Sequence, residues 1–583
     1  MQSFSRPAQY ITGSRVFSYF PGATECAVAR YLALLTPEQL RLKVVARAFS
    51  GKTRLEEEWY GTNFNRIDAL PAETRRWAAV TSAQYPALSL PSRNELLPER
   101  FDLVASPPAS KAAKEAALAA PPVLVRDDAT FSVWQKTDRS FGQPRTYAVI
   151  SLAVPKAVFN PAFIMKSRLF SECFLDSINE FLYDARLAGL TFELEFTSRG
   201  VQLTFGGFSD RLPLFAERIL AALRSYRPDQ AAFARFKDLQ TRNLAGWRTQ
   251  QPYSHCSYYA SIASESLQYS VEQLQAALSK LDVASLEAFL PSVLKQSHGS
   301  ALVQGNIDAE GALALVGLVE RVFPFTPLPP EARSRRVVSM LPLAPSSLQG
   351  AQGSDAAGAA EAGYIISRPE PNVDDDNSAV TYYFQVPSRR AEETILLELL
   401  AEAIEQGFYN ALRTQQQLGY IVFSGVRARE GVLSLVLTVQ SNVLKGPGLR
   451  QRVDEQIEAA IAELTALSPE AFEAYKEGIR VRKLEPDQRL TSQASRFWSE
   501  ITLVPVEEPQ FDRYAREVEV LGKISQPAFS AFVRDLLARG GSKRRLLVSE
   551  VSSQIGPKAP KVEGLAYVPV EDEVAFQRSL PDL

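Results

Sequence analysis

The sequence is poor in the residues that build self-contained metal or disulfide chemistry. Its 583 residues include two histidines, His255 and His298, and three cysteines, Cys26, Cys173 and Cys256. The histidines lie far apart and form no His-x-x-His or His-x-x-x-His pair, so a zinc site on one helix face is excluded. His255 lies in Gln251-Pro252-Tyr253-Ser254-His255 and is read as a polar or packing residue rather than a ligand, as is His298. Three scattered cysteines make neither a disulfide framework nor a Cys-based zinc site. There is no uninterrupted apolar run near ~18 residues, so no membrane-spanning helix is predicted. Met1–Phe20 lacks an apolar core of signal-peptide length, and a cytoplasmic location without membrane partners is the expectation. An excess of one charge is also missing. Sixty-four basic residues stand against 66 acidic ones, a formal net charge of −2, and no nucleic-acid surface is expected. No Gly-rich phosphate loop occurs, and Gly206-Gly207 after Phe205 fits a strand turn.

What is present is ordinary globular material, 46% apolar and 22% charged, long enough for two to four domains at ~150–250 residues each. Thr36-Pro37-Glu38 reads as a helix start, and Leu42–Phe49 alternates enough to be a strand. Residues 86–122 carry seven prolines and an Ala/Lys stretch and read as a linker. Beyond it, strands are predicted over Tyr147–Val154 and Val201–Phe205, and helices over Phe163–Leu187 and Leu212–Leu223. Residues 343–363, rich in Ala, Gly and Ser, read as a flexible surface insertion. The pattern then resumes. Strands are predicted over Val380–Val386 and Leu433–Val439, a helix over Glu392–Leu412, and another opening at Ser468-Pro469-Glu470. In both later regions a long helix ends in an Ala and an Arg, followed by a glycine, Gly189 or Gly419, and a strand. This is read as an internal duplication of α+β domains.

The most specific stretch is Leu412-Arg413-Thr414-Gln415-Gln416-Gln417-Leu418-Gly419-Tyr420-Ile421-Val422-Phe423-Ser424-Gly425. It resembles the last domain of the insulysin-type M16 zinc metallopeptidases. Glu58-Trp59-Tyr60-Gly61-Thr62, Leu187-Ala188-Gly189-Leu190, Arg482-Lys483-Leu484 and Phe497-Trp498-Ser499-Glu500-Ile501 resemble other parts of that family, in its order. The resemblance runs over about residues 15–580. It implies an α+β fold of repeated M16-type α/β sandwich domains, two full and one partial, forming one half of a chamber. Residues 1–85 would be a partial middle domain, 86–122 the interdomain linker, 123–330 the third domain and 331–583 the fourth.

In that family zinc is held in the first domain by an inverted His-x-x-Glu-His motif. No such motif occurs here, so zinc is implied for the family but no zinc ligand is expected in this chain. The resemblance carries Arg413 and Tyr420 onto supporting catalytic roles, reaching a zinc site on the other half. There a tyrosine hydroxyl can donate to the oxygen that becomes negative, and a guanidinium can hold a substrate carbonyl. Tyr409 falls near the substrate side-chain pocket, where the family can carry an aromatic. The implied partners are a peptide, bound by adding a strand to a sheet edge, and a zinc-bearing N-terminal half from the same gene or a separate chain. Met1 would fall inside a domain, which favours a half encoded just upstream. The rival expectation is a non-catalytic scaffold or regulatory subunit of the same fold. Where family members can carry a Lys-rich, polyanion-binding run, this chain has Leu484-Glu485-Pro486-Asp487-Gln488-Arg489, with Arg480, Arg482 and Lys483 just before it.

Overall fold

A computed structural model describes residues 30–31, 33–66, 71–81, 84, 93–333, 337–343, 362–503, 508–556 and 566–581. The chain divides into two compact units, Met1–Glu95 and Leu96–Leu583. The first unit holds a small antiparallel ladder, Leu55–Glu56 with Asn63–Phe64, and the helix Pro71–Ala78. Thr36 precedes only a short 3-10 turn, Pro37–Gln39. The strand expected over Leu42–Phe49 is not formed. The segment is extended coil ending in the 3-10 turn Arg47–Phe49. Leu42, Val44 and Val45 are exposed, and among the described residues no strand pairs with them. Most of the expected insertion, 344–361, lies outside the described residues.

The second unit carries two mixed sheets built to one plan. The first comprises β1 (Val123–Asp127), β2 (Phe131–Thr137), β3 (Arg145–Ala153), β4 (Thr191–Phe196), β5 (Gly200–Phe208) and β6 (Gln296–Gly305), in spatial order β1-β2-β6-β3-β5-β4, with the two-residue strand Thr326–Pro327 pairing parallel to the start of β6. The second comprises β7 (Tyr364–Pro369), β8 (Ser378–Val386), β9 (Ile421–Arg429), β10 (Val432–Ser441), β11 (Leu546–Ser552) and β12 (Val568–Pro569), in order β12-β7-β11-β8-β10-β9. Four of the five successive pairings match in direction. β2–β6 and β7–β11 are parallel. The three pairings beyond these are antiparallel in both sheets, and β4 and β9 occupy equivalent edges. The opposite edges differ, β1–β2 being antiparallel and β7–β12 parallel. The α+β fold is therefore a repeated one.

The helices that matter below are α1 (Pro161–Ser177), α2 (Asn179–Leu187), α3 (Pro252–Ser264), α4 (Ala391–Tyr409) and α5 (Leu490–Ile501). One continuous helix was the expectation across α1 and α2. It breaks at Ile178 (φ −111°, ψ 14°), next to Ser177, whose hydroxyl turns back to the Phe174 carbonyl at 2.6 Å. Each sheet packs one face on its own helices. On β8, Val380, Tyr382, Phe384 and Val386 meet Leu396, Leu399 and Leu400 of α4 in one core.

The opposite faces are covered by exchange. Helix α3, which lies between β5 and β6 of the first domain in the chain, lies on β8 and β11. There Ala260 and Ala263 pack with Tyr383 and Leu547, and Cys256 packs with Ala379 and Val551. In return α5, from the second domain, lies on β6 and β3, where Ala494, Phe497 and Ile501 close over Leu302. Polar groups seal the exchange. Gln304 Nε2 donates to Gln493 Oε1 at 2.6 Å, and the Trp498 indole donates to Gln202 Oε1 at 3.1 Å. Arg427 and Arg429 of β9 reach the buried Glu265 at 2.7 and 3.2 Å.

The proline-rich segment is also tied down from Leu96 onward. Leu96 enters the first core. Asn306 bonds Val104 N–H and Asp102 carbonyl. Lys136 donates to the carbonyls of Ala117 and Ala120, at the end of the helix Lys111–Ala119, where a cation meets the negative pole of the helix.

Phe497 is fully buried at this junction. Replacing it with alanine should remove about 3–5 kcal/mol from unfolding of the second unit. Urea denaturation followed by circular dichroism checks this; a shift within error would show that α5 is not needed over the first sheet.

Candidate functional site

Arg413, Tyr420 and Tyr409 come together at the end of α4. The helix does not stop at Tyr409 but widens into one π-helical turn, Asn410–Gln415. The turn closes with Gln416 N–H on Ala411 carbonyl and Leu418 N–H on Leu412 carbonyl, both at 3.0 Å. Leu412 and Leu418 are buried and anchor it. Gln417 takes a left-handed backbone, φ 52°, which costs a non-glycine residue about 1–2 kcal/mol. Gly419 follows, and a Cβ there would strike the Gln440 carbonyl of β10. Glycine is thus required by close approach at 419. Its counterpart Gly189 is required by conformation instead, at φ 75°. Widened turns of this kind recur at functional sites, because they redirect side chains without breaking the helix.

The Arg413 guanidinium lies 4.3 Å from the Tyr420 ring centre and 5.4 Å from that of Tyr409. Its Nη1 donates to the Tyr420 carbonyl. Each ring contact of this type contributes about 0.5–1 kcal/mol at an exposed site. Tyr420 is 80% exposed, so it is not a packing residue, and Tyr409 is also open to solvent. Among the described residues, neither the Tyr420 hydroxyl nor the rest of the Arg413 fork has a hydrogen-bond partner. The arrangement holds a hydroxyl donor and guanidinium donors in fixed geometry at the surface. The anchoring roles of Leu412, Leu418 and Gln417 carried no signal in the sequence, since the run of three glutamines looks like any polar turn.

The two histidines are structural. His255 is fully buried on α3, with Nδ1 3.0 Å from Glu370 Oε1 and Nε2 2.9 Å from the Trp247 carbonyl. Both ring nitrogens face oxygen atoms, a carboxyl group and a main-chain carbonyl, an arrangement that favours the charged ring. Burial alone would lower its pKa. The Glu370 carboxylate and the Trp247 carbonyl outweigh burial and raise it. His298 lies between the Ala129 carbonyl and the Ser132 hydroxyl, each at 3.2 Å, and burial lowers its pKa. Cys173 and Cys256 are buried thiols, and burial pushes Cys173 up to about 11, which makes it a poor nucleophile. The basic residues before Leu484 are all paired: Arg480 with Glu477, Arg482 with Glu402, and Lys483 with Glu398 and Glu517. Among the described residues no group of three or more His, Cys, Asp or Glu could hold a metal ion. Both histidines are committed to other partners, so among the described residues neither is free to ligate zinc.

Comparison with known proteins sets this geometry in context. The profile "Middle or third domain of peptidase_M16" matches residues 1–277, and "PQQ synthase PqqF-like, C-terminal lobe domain 4" matches 399–498. The chain is 29% identical over 531 residues to insulin-degrading enzyme of Homo sapiens, covering 91% of this chain and 49% of that protein. It is 26% identical over 559 residues to "Insulin-degrading enzyme-like 1, peroxisomal" of Arabidopsis thaliana, covering 94% and 54%. The chain spans about half the length of the curated relatives it matches. Among solved structures, pitrilysin aligns with a TM-score of 0.73 at 18% identity, over 91% of this chain and 52% of that one. That likeness is one of fold.

The histidines predict opposite pH effects on stability. His255, with its pKa raised on folding, stabilises fully below its unfolded value of ~6.5, and that contribution fades as pH rises through the higher folded value. His298, with its pKa lowered, contributes above ~6.5 and loses that contribution as pH falls. His255→Gln should cost about 3–5 kcal/mol at pH ~6, because it leaves Glu370 buried and unpaired, and less as pH rises. Thermal melts of both proteins across pH check this. A deficit that does not shrink on the alkaline side would contradict a charged His255.

Proposed function

We propose that this chain, built of M16 peptidase middle and C-terminal-lobe domains and homologous to the C-terminal half of insulin-degrading enzyme, is the substrate-binding half of a zinc metalloendopeptidase whose zinc motif lies elsewhere. The observation that carries the reading is the exposed, rigidly held pair Arg413 and Tyr420. A tyrosine kept in solvent by a guanidinium, a left-handed residue and an obligatory glycine is built for a partner that approaches from outside. A scaffold needs none of these.

In this reading Tyr420 donates its hydroxyl proton in a hydrogen bond to the oxygen that gains charge as a peptide carbonyl is attacked. Arg413 offers its unused fork to a neighbouring substrate carbonyl, and Tyr409 borders the side-chain pocket. The hydrolytic zinc belongs to an N-terminal half, on the same polypeptide or a separate one, and an enclosed chamber selects short or unfolded peptides. The first unit carries two exposed aromatic residues. Glu57 ties the Trp59 and Tyr60 amides at 2.9 and 2.8 Å, yet these rings are 81% and 90% exposed.

The test is cleavage of a quenched peptide by this chain alone and mixed with a separately expressed zinc-bearing M16 half. The expectation is no cleavage alone and chelator-sensitive cleavage on mixing. Tyr420→Phe should then lower kcat by about 100–1000-fold with little change in KM. Arg413→Lys, which loses the planar fork, should raise KM. Assembly without cleavage would replace this reading with the scaffold. Cleavage by the isolated chain with bound zinc would place the metal site here and overturn it.

A further inference from the structure

The two sheets end on equivalent edges, and the edges are not alike. Aligning Gly189 with Gly419 sets β4 beside β9 position by position. Where β4 carries Glu193 and Glu195, both exposed, β9 carries Phe423 and Gly425. Exposed charge is a common means of keeping a sheet edge from pairing with another chain. β4 has that guard, and β9 lacks it at the same two positions. β9 is also longer, nine residues against six. Phe423 and Val426 put apolar surface into solvent. Among the described residues β10 is the only strand that pairs with β9, so the outer row of backbone N–H and C=O groups is open.

Gly425 sits in the middle of this edge. A glycine inside a strand weakens it by about 0.5–1 kcal/mol relative to alanine. It marks a bulge or bend, or a place where a ligand or another backbone approaches closely. The ladder of β9 with β10 runs from Ile421–Gln440 to Arg429–Val432 without a register shift, so there is no bulge. Gly425 is not among the residues with positive φ. A Cβ at this position would meet nothing within 4 Å, so no described element of the chain presses on it. Gly419 is the opposite case, required by the Gln440 carbonyl. At Gly425 the strand instead leaves a notch on the face that Phe423 and Arg427 share. The Arg427 wall is fixed, since its guanidinium is held by the buried Glu265 at 2.7 Å.

We propose that β9 is a docking edge for an extended, unfolded peptide, which adds a strand to the second sheet and sets an apolar side chain in the notch at Gly425. Main-chain hydrogen bonds supply the affinity, and the notch supplies the preference. A peptide laid along β9 has one end beside Tyr420 and Arg413, because Ile421 is the first residue of the strand. Identifying that peptide with the substrate of a zinc site rests on the proposed function. The strand addition does not.

The test is fluorescence anisotropy of the full chain, without any partner half, with a labelled, end-capped peptide Gln-Ser-Val-Thr-Phe-Ser-Gln. Two further peptides carry N-methyl groups, one on Val and Phe, the other on Ser, Thr and Ser. Alternate amides of a strand point to opposite edges, so one methylated peptide should lose about tenfold or more in affinity and the other should bind like the parent. Hydrogen exchange with the parent bound should slow at residues 421–429 and stay unchanged at 191–196. The double variant Phe423→Glu, Gly425→Glu, which gives β9 the residues of β4, should weaken the parent about fivefold with its melting temperature kept. The methylated peptides are compared on the unaltered protein, so that result stands even where the variant misfolds. No saturable binding, equal binding of the two methylated peptides, or protection at β4 instead of β9 would overturn the proposal. Dimerisation with β9 already protected in the free chain would assign the edge to a second copy and overturn it as well. None of these measurements involves zinc or cleavage, so their failure and the failure of the mixed-half assay are separate results.

Discussion

Neither sheet of the second unit can exist with one face in water. Strand β8 is buried along its whole length, and β6 is buried at nearly every position. An antiparallel sheet ordinarily tolerates one wet face. Here the second face is apolar as well, with Ala379 and Tyr383 on β8 and Leu302 on β6. Each domain covers the other with a helix it does not need for its own core, α3 in one direction and α5 in the other. The two domains therefore form one compact unit, Leu96–Leu583.

That exchange decides where polar residues are tolerated. His255 and Glu370 meet with no exposure because one comes from α3 and the other follows β7 of the opposite domain. A buried ion pair is weak evidence for net stability, since desolvation offsets most of its attraction. Its value lies in register: a helix shifted along the sheet would leave both charges unpaired. Glu265 with Arg427 and Arg429 acts in the same way at the end of β9. The edge strand that begins after Tyr420 is thus fixed at its far end by the other domain.

The Arg413–Tyr420 unit draws on this rigidity. Its turn is pinned from inside by Leu412 and Leu418 and from beneath by the approach of Gly419 to β10. The strained backbone at Gln417 persists because its surroundings over-determine it. The side chains it presents, Arg413 and Tyr420, face solvent rather than the core.

Much of this was legible in the order of residues. Alternation gave β8 and β10 as strands, because Val380, Tyr382 and Phe384, like Leu433, Leu435 and Leu437, must share a face at period two. The apolar stripe of α4 and the Ser468 cap were readable for the same local reason. The repeat, the family resemblance, and the candidates Arg413, Tyr420 and Tyr409 also came from sequence. Local pattern failed where the outcome depended on distant partners. Leu42–Phe49 alternates like a strand, yet no neighbouring strand satisfies its backbone among the described residues. Phe497-Trp498 read only as a family signature, and tertiary structure made it the cover of the other domain's sheet. His255 reads as an isolated polar residue until folding brings Glu370 to it. The sequence by itself determined most elements of the second unit, because periodicity and capping act over a few residues. Only the tertiary structure decided which faces meet, which charges pair, and that Tyr420 stays in solvent, because those outcomes depend on contacts between residues far apart in the chain.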